Sequence, residues 1–356
     1  MDDGYNISQL SLLKTVNQTL KDSLRFRPAI SFEDWATRYI INPDGTPFRF
    51  RETQVQIARD LFNPSLTSVA IRAFSGAGKT YLFAAGLCYV VEQLRTAAGV
   101  MFPSQSIAED WVNEELYKMF LATPAIEKME METDLKRLKR WNSGAAIHAI
   151  GSNSSGMIRR LQAPVLYADE IDAITSESSD EGCKLAQFFK RARGEKNQYK
   201  WASSYPSLKG HSKIDAMFDQ SDQCRWFVNC SKCEHEWEMQ IKDLNWKTGE
   251  PESAVIVCPS CGERHDDESR LAMAKAGRFL DKTLSEPRDS GERGFHLNCL
   301  ANVGEHSAAY NGYLHEIAAE IERGKKADSP EKAKRVFVNT MLAESYAEQV
   351  ERKPEP

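Results

Sequence analysis

Short apolar runs separated by helical segments occupy the chain between residues 67 and 205. Strands are predicted at 67–74, 97–103, 145–151 and 164–170, with a weaker one at 199–205. Helical patterns lie between them, over 80–94 and 104–121, and Ser104 is placed to cap the second. Apolar strands that alternate with helices are typical of a mostly parallel sheet flanked by helices, so the predicted fold class is α/β.

The pattern changes after residue 223, where a block rich in cysteine, tryptophan and charged residues begins. A further strand is predicted at 294–300, and two helical patterns follow it, the second starting at Ser329-Pro330. We therefore predict five parts: an N-terminal arm (1–30), a core (31–223), an inserted block (224–280), a return strand with C-terminal helices (281–348) and a tail (349–356).

A glycine-rich loop joins the first predicted strand to the first long helix, with the sequence Ser-Gly-Ala-Gly-Lys-Thr at 75–80. Its glycines allow backbone N–H groups to point at phosphate oxygens, to which the helix start adds its positive end. Lys79 can reach the terminal phosphates, and the Thr80 hydroxyl can ligate Mg²⁺. The residues predicted to contact ATP here are Ser75, Gly76, Ala77, Gly78, Lys79 and Thr80.

The loop departs from the common phosphate-loop pattern because Ala73 occupies the position five residues before Gly78, where glycine is usual. This form is typical of helicase-like ATPases. The fold is therefore predicted to be a P-loop NTPase of the helicase-like, additional-strand type.

Two adjacent carboxylates, Asp169 and Glu170, end the strand predicted at 164–170. Asp169 is positioned to hold Mg²⁺ through water, and Glu170 to polarise the water that attacks the γ-phosphate. An Asp-Glu pair by itself is usually a solvated loop, but here it follows an apolar strand and accompanies a phosphate loop. The sequence therefore predicts Glu170 and Lys79 as catalytic residues, and Asp169 and Thr80 as magnesium ligands.

Four further residues are assigned supporting roles. The amide of Gln54 suits the edge of adenine, although an exposed helix glutamine is an alternative interpretation. Ser204 could sense the γ-phosphate, with an ordinary turn at a strand end as the alternative. Arg159 and Arg160 precede Asp169 by ten and nine residues, and one of them is hypothesised to be an arginine finger, acting in cis or on a neighbouring subunit.

The inserted block contains two Cys-x-x-Cys pairs separated by 24 residues, namely Cys230, Cys233, Cys258 and Cys261. Four thiolates at this spacing close a tetrahedral Zn²⁺ site with no open position, which predicts a structural zinc ribbon, with a redox pair as the alternative. His235 and His265 are interpreted as surface residues. Cys88 and Cys299 are predicted to lie in the core.

Composition limits the functional classes. No apolar run approaches the length of a membrane span. Eight cysteines without an export signal indicate reduced thiols or metal ligands rather than disulfides, and predict a cytoplasmic protein. The net charge of −5 gives no overall electrostatic reason to expect nucleic acid as a partner.

Together these residues resemble the large terminase subunits of tailed bacteriophages, in the lambda-like branch, over about 35–346. The resemblance depends on the order of several short motifs and on the cysteine block that follows the sixth of them. These motifs are Arg51-x-x-Gln54, the Gly-Lys-Thr loop, Phe102-Pro103-Ser104, Gly151-Ser-Asn-Ser, Asp169-Glu-Ile-Asp172, Ser203-Ser-Tyr-Pro206, the paired cysteines, and Phe337-Val-Asn-Thr-Met-Leu-Ala-Glu344.

The resemblance implies an ATPase motor that translocates double-stranded DNA into a procapsid in the infected host's cytoplasm. It also implies a homo-oligomeric ring on a portal and a small terminase subunit as partner. Family members continue into a nuclease domain near where this sequence ends, so either this chain is the motor portion alone or the nuclease is on another polypeptide, and DNA cleavage by these residues is not predicted.

Two other functions remain open at this stage. One is a helicase-like DNA translocase or remodeller with the same core. The other is a non-catalytic zinc-ribbon assembly protein that binds nucleic acid and carries a vestigial nucleotide site.

Overall fold

A computed structural model of the chain describes residues 30–174, 183–289, 291–304 and 312–347. The predicted arm (1–30), apart from its last residue, and the predicted tail (349–356) lie outside the described residues. In the described part of the chain, no helix is both long and apolar enough to cross a bilayer.

Fourteen strands are found in these residues, and the predicted strands are among them. They are β1 (Leu66–Ala73), β2 (Ala97–Phe102), β3 (Met131–Leu135), β4 (Leu138–Trp141), β5 (Ala146–Gly151), β6 (Val165–Ala168), β7 (Tyr199–Ser204), β8 (Cys224–Asn229), β9 (Glu236–Trp237), β10 (Leu244–Lys247), β11 (Glu250–Val257), β12 (Arg264–His265), β13 (Arg278–Leu280) and β14 (Gly291–Leu297).

Eleven of these strands form one sheet, in the order β13-β8-β14-β1-β7-β6-β2-β5-β4-β3, with β9 paired to β8. The seven central strands, from β8 to β5 in this order, pair in parallel. The strands at the two edges pair antiparallel, β13 and β9 at one edge and β4 and β3 at the other. The central strands are apolar because both of their faces are covered; all four residues of β6 are buried. The predicted α/β fold with a mostly parallel sheet is thus confirmed.

Twelve α-helices are described. They are α1 (Phe32–Tyr39), α2 (Glu52–Leu61), α3 (Lys79–Tyr89), α4 (Gln105–Asp110), α5 (Tyr117–Ala122), α6 (Pro124–Glu127), α7 (Ser155–Arg160), α8 (Lys184–Phe189), α9 (Lys213–Gln220), α10 (Asp267–Lys275), α11 (Tyr313–Lys325) and α12 (Pro330–Thr340). The π-helical segment Trp111–Leu116 joins α4 to α5, and the Ser104 hydroxyl accepts the Ile107 N–H, as its predicted capping role requires.

The predicted insertion, 224–280, begins and ends inside the large sheet, because β8 and β13 pair with each other there. Between them lie a second, three-stranded sheet, β10-β11-β12, and the four paired cysteines. The division into five parts stays a prediction; β14 of the predicted return segment pairs with β8 of the insertion and with β1 of the core.

A buried ionic cluster attaches β14 to its surroundings. The Arg293 guanidinium donates to Asp222 at 2.7 Å and also to Asp60, and Asp222 accepts the Gly294 N–H at 3.1 Å. Burial raises the pKa of Asp60 to about 6, although Arg293 opposes the shift. Buried charges need such partners, so the cluster fixes how α2 and the segment before β8 pack beside β14.

Candidate functional site

The phosphate loop leaves the carboxyl end of β1 and enters α3 at Lys79. Gly76 and Gly78 both adopt positive φ angles, 92° and 77°. A Cβ atom on Gly78 would lie 2.7 Å from the Gln54 amide nitrogen. Backbone conformation and close packing therefore both require glycine at position 78.

Side chains of the helix α2 region support this loop from outside. The Arg51 guanidinium donates to the Gly76 carbonyl at 2.8 Å, and Gln54 Nε2 donates to the Gly78 carbonyl at 3.2 Å. From the far end of the chain, the Thr340 carbonyl accepts the Ser75 N–H at 2.7 Å. These contacts hold the loop in shape without a bound ligand.

Gln54 itself does not line the cavity beside the loop. Its side chain is buried, with Nε2 donating to the carbonyls of Ala77 and Gly78 and Oε1 accepting the Arg51 N–H at 3.0 Å. The predicted contact with adenine is therefore not supported by this geometry, because the amide is occupied in positioning the loop.

The Lys79 ammonium group donates to the carbonyls of Ala73 and Phe74, at 2.8 and 2.9 Å. Burial lowers the pKa of Lys79 to about 8, while the nearby charges of Asp169 and Glu170 oppose this shift. A phosphate anion could replace the two carbonyls as the partner of this side chain and would favour its charged form.

Asp169 is the most heavily hydrogen-bonded group of the site. Its carboxylate accepts hydrogen bonds from the Thr80 hydroxyl at 3.1 Å, from Tyr167 and Ser203, and from the Glu170 N–H at 2.8 Å. Thr80 and Asp169, predicted to share a magnesium ion, thus lie in contact. Sequence reasoning missed Tyr167 as a site residue, although it lies two residues before Asp169 in an extended segment, a spacing that puts both side chains on the same side of the chain.

Glu170 follows at once in the left-handed conformation, with φ at 50°. For a residue other than glycine, this conformation costs about 1–3 kcal/mol. It turns the chain at the strand end, so that two adjacent carboxylates can both face the cavity. Burial raises the pKa of Glu170 above its ordinary value, with Asp169 adding to the shift and Lys79 opposing it.

Phosphate loop and carboxylates border one cavity of about 520 Å³. Among the predicted site residues, its lining includes Ser75, Gly76, Gly78, Lys79, Thr80, Asp169, Glu170 and Ser204. Ala77 is buried and contributes no lining surface. Asp172, the last residue of the motif that begins at Asp169, accepts the N–H groups of Ser207 and Ile214 at 2.7 and 2.9 Å, which is a structural role.

Arg159 and Arg160 are not brought to this cavity. Both are exposed at the end of α7, and the Arg159 carbonyl accepts a hydrogen bond from Arg191 at 3.2 Å. An action in cis has no support in this arrangement, whereas exposed arginines remain accessible to a neighbouring molecule.

The four paired cysteines converge at one point, with all their sulfur atoms within 4.8 Å of one another. Sγ atoms of Cys230 and Cys261 are 3.9 Å apart, and those of Cys233 and Cys258 are 3.8 Å apart. Tetrahedral zinc–sulfur bonds of about 2.3 Å place sulfur atoms roughly 3.8 Å from one another, so the geometry fits a zinc ion.

The interpretation of His265 as a surface residue is wrong. Its ring is buried, with Nε2 3.4 Å from the Cys230 sulfur, whereas His235 is exposed as expected. Burial opposes ionisation of Cys230, but N–H groups of Cys233 and Lys232 and the His265 ring together lower its pKa to about 6. Cys88 and Cys299 are buried, as predicted.

Comparison with known proteins gives consistent matches. Residues 44–279, more than half of the chain, match the family model described as phage terminase large subunit gpA, ATPase domain. A terminase large subunit of Enterobacteria phage P21 is 23% identical over 345 residues, which cover 90% of this chain and 53% of that protein. The chain therefore spans about half the length of this relative.

Among solved structures, the large terminase of bacteriophage HK97 superposes with a TM-score of 0.54 at 15% identity, over 88% of this chain and 55% of that one. The large terminase ATPase domain of Thermus phage P74-26 gives 0.48 at 12% identity, over 90% of this chain and all of that domain. The HK97 match supports the fold alone.

The depressed pKa of Lys79 predicts proton uptake when a triphosphate binds. At pH 7 the side chain is already charged, but at pH 9 most of it is neutral, and a phosphate ligand should restore the charge. Calorimetric titration of Mg-ATP in two buffers of different ionisation enthalpy should give uptake approaching one proton at pH 9 and none at pH 7. Affinity should fall as pH rises above 8. Lys79→Arg should abolish the uptake; equal uptake in wild type and variant would contradict the prediction.

Proposed function

We propose that this chain, which belongs to the gpA family of phage terminase large subunit ATPase domains, is the ATP-hydrolysing motor of a viral DNA-packaging machine. The observation that carries the proposal is the convergence of Lys79, Thr80, Asp169 and Glu170 on one cavity at the carboxyl ends of β1 and β6. The substrate would be ATP, and the work done would be the translocation of double-stranded DNA into a procapsid.

Each residue of this set has a distinct role in the proposed reaction. Lys79 would exchange its two carbonyl partners for the terminal phosphates, and Glu170 would orient and polarise the attacking water. Thr80 and Asp169 would hold Mg²⁺, Asp169 through water, while Ser204 would sense the γ-phosphate. The metal supplies neutralisation of charge on the phosphate oxygens.

The order of strands supports the finer assignment to the helicase-like, additional-strand type. β7 lies between β1, which precedes the phosphate loop, and β6, which precedes the carboxylates. Ser203 on β7 hydrogen-bonds to Asp169, so the intervening strand contributes directly to the site.

We assign the arginine finger to a neighbouring subunit. Arg159 and Arg160 are exposed and outside the cavity of their own chain, which favours action in trans within a homo-oligomeric ring. The other proposed partners are a small terminase subunit and the portal of the procapsid, in the cytoplasm of the infected cell. Nuclease activity is not proposed for these residues.

The cysteine cluster is proposed to hold one structural Zn²⁺ ion. Four sulfur atoms at tetrahedral spacing leave no position for a substrate, so the ion would stabilise the ribbon between β8 and β13. His265, beside the Cys230 sulfur, would support the site from outside the ligand set.

Steady-state ATP hydrolysis with and without long double-stranded DNA tests the motor. Glu170→Gln should lower kcat by about 100-fold or more, because the water loses its base. Glu114→Gln, which changes an exposed carboxylate paired with Lys118, is the matched control and should hydrolyse ATP normally. Stimulation by duplex DNA without strand separation supports a translocase, and separation of strands would instead favour the helicase-like alternative. Equal background rates in wild type and variant would favour a vestigial nucleotide site.

Mixing of two inactive variants tests the trans arginine. Alanine at Arg159 or at Arg160 should leave ATP affinity unchanged and lower kcat by about 10³-fold. That variant, mixed with Glu170→Gln, should regain activity, because one subunit supplies the finger and the other an intact site. Full activity in both alanine variants, or no recovery on mixing, would count against the assignment.

Metal analysis tests the ribbon. The purified chain should contain about one zinc ion, and Co²⁺ substitution should give the absorption of a tetrahedral thiolate site. Cys258→Ser should lose the metal and lower Tm, whereas Cys183→Ser, at an exposed cysteine outside the cluster, should retain both. A metal-free wild type with unchanged stability in chelator would contradict the zinc assignment.

A further inference from the structure

Part of the lining of the nucleotide cavity carries no phosphate-binding groups. It includes Pro43, Tyr81 and Ala84, and also Trp111 and Met119, with Glu115 between these last two in the chain. Apolar and aromatic surface beside a polar phosphate site is the usual composition of a pocket for a nucleotide's heterocyclic part. Gln54, the residue that the sequence assigned to the base, is occupied elsewhere.

Tyr81 is the aromatic residue of this lining that lies next to the phosphate loop in the chain. It directly follows Thr80 in the first turn of α3, where backbone N–H groups and the helix dipole favour phosphate. Its side chain is 38% exposed and lines the cavity. A nucleotide whose phosphates occupy the loop therefore has its sugar and base within reach of this ring.

The ring of Tyr81 is also held in its orientation by neighbouring side chains. It stacks on Phe48, with centroids 5.4 Å apart and an interplanar angle of 24°, and Phe48 is fully buried. Its hydroxyl donates to the Asn42 side chain. Phe48 covers one ring face and Asn42 holds the edge, so stacking on the open side costs little side-chain entropy.

We propose that Tyr81 is the platform on which the base of the bound nucleotide stacks, with Pro43 beside it. The inference rests on the proposed function, because it presumes that the loop binds the phosphates of ATP. It replaces the predicted adenine contact of Gln54 by stacking, which any aromatic base can satisfy.

Paired titrations of the full chain with Mg-ATP and with magnesium tripolyphosphate test the proposal. Tripolyphosphate has the phosphates but no base, so it reports on the loop alone. Tyr81→Ala should weaken Mg-ATP binding about tenfold and leave tripolyphosphate binding within about twofold. Tyr81→Phe, which keeps the ring and loses the hydroxyl, should bind both ligands nearly as wild type does.

Tyr81→Leu provides a second variant that still covers Phe48, in case alanine unfolds the segment; it should lose ATP affinity in the same selective way. The proposal is overturned if Mg-ATP binds equally well to the wild type and to the variants without an aromatic ring. It is also overturned if both ligands weaken together, which would make Tyr81 a support of the loop. If the wild type binds tripolyphosphate and Mg-ATP with equal affinity, the stacking role of Tyr81 is refuted and the proposed function is not. A wild type that binds neither ligand would refute the platform and the proposed function together.

Discussion

The carboxylate of Asp169 is the constraint on which the rest of the site depends. It is buried, and a buried charge is tolerated only when its oxygens are hydrogen-bonded. Its partners come from the start of α3, from β6 itself and from β7. Because these partners must all reach one carboxylate, the start of α3 and the ends of β6 and β7 lie next to one another. The nucleotide cavity is the space between them.

The phosphate loop, the buried strands and the cysteine pairs could be predicted from the sequence, because each depends on interactions between residues close together in the chain. A glycine-rich turn between an apolar strand and a helix is determined by a few residues, and the fully buried strands needed unbroken apolar runs. For the cysteines, the two-residue spacing within each pair already predicts that both sulfur atoms can bind one metal ion. For the loop and the strands, the chain within ten or so residues contains most of the physical information.

What the sequence could not supply depends on contacts between distant segments. Gln54 is chemically able to bind adenine, and only its approach to the carbonyls of Ala77 and Gly78 shows that it is occupied. His265 resembles any polar residue of a charged loop until the fold buries it against Cys230. The membership of β8 and β13 in the large sheet has the same origin, since pairing partners are chosen across the chain.

The contact between the Ser75 N–H and the Thr340 carbonyl has a consequence for biosynthesis. One end of this hydrogen bond is synthesised early and the other late, with most of the chain between them. β14, which pairs with β1 along its whole length, is also a late segment. A nascent chain can therefore form β6, β2 and β5 while its phosphate loop still lacks two supports. Competence to bind nucleotide should therefore be acquired only after the helices that follow β14 have left the ribosome.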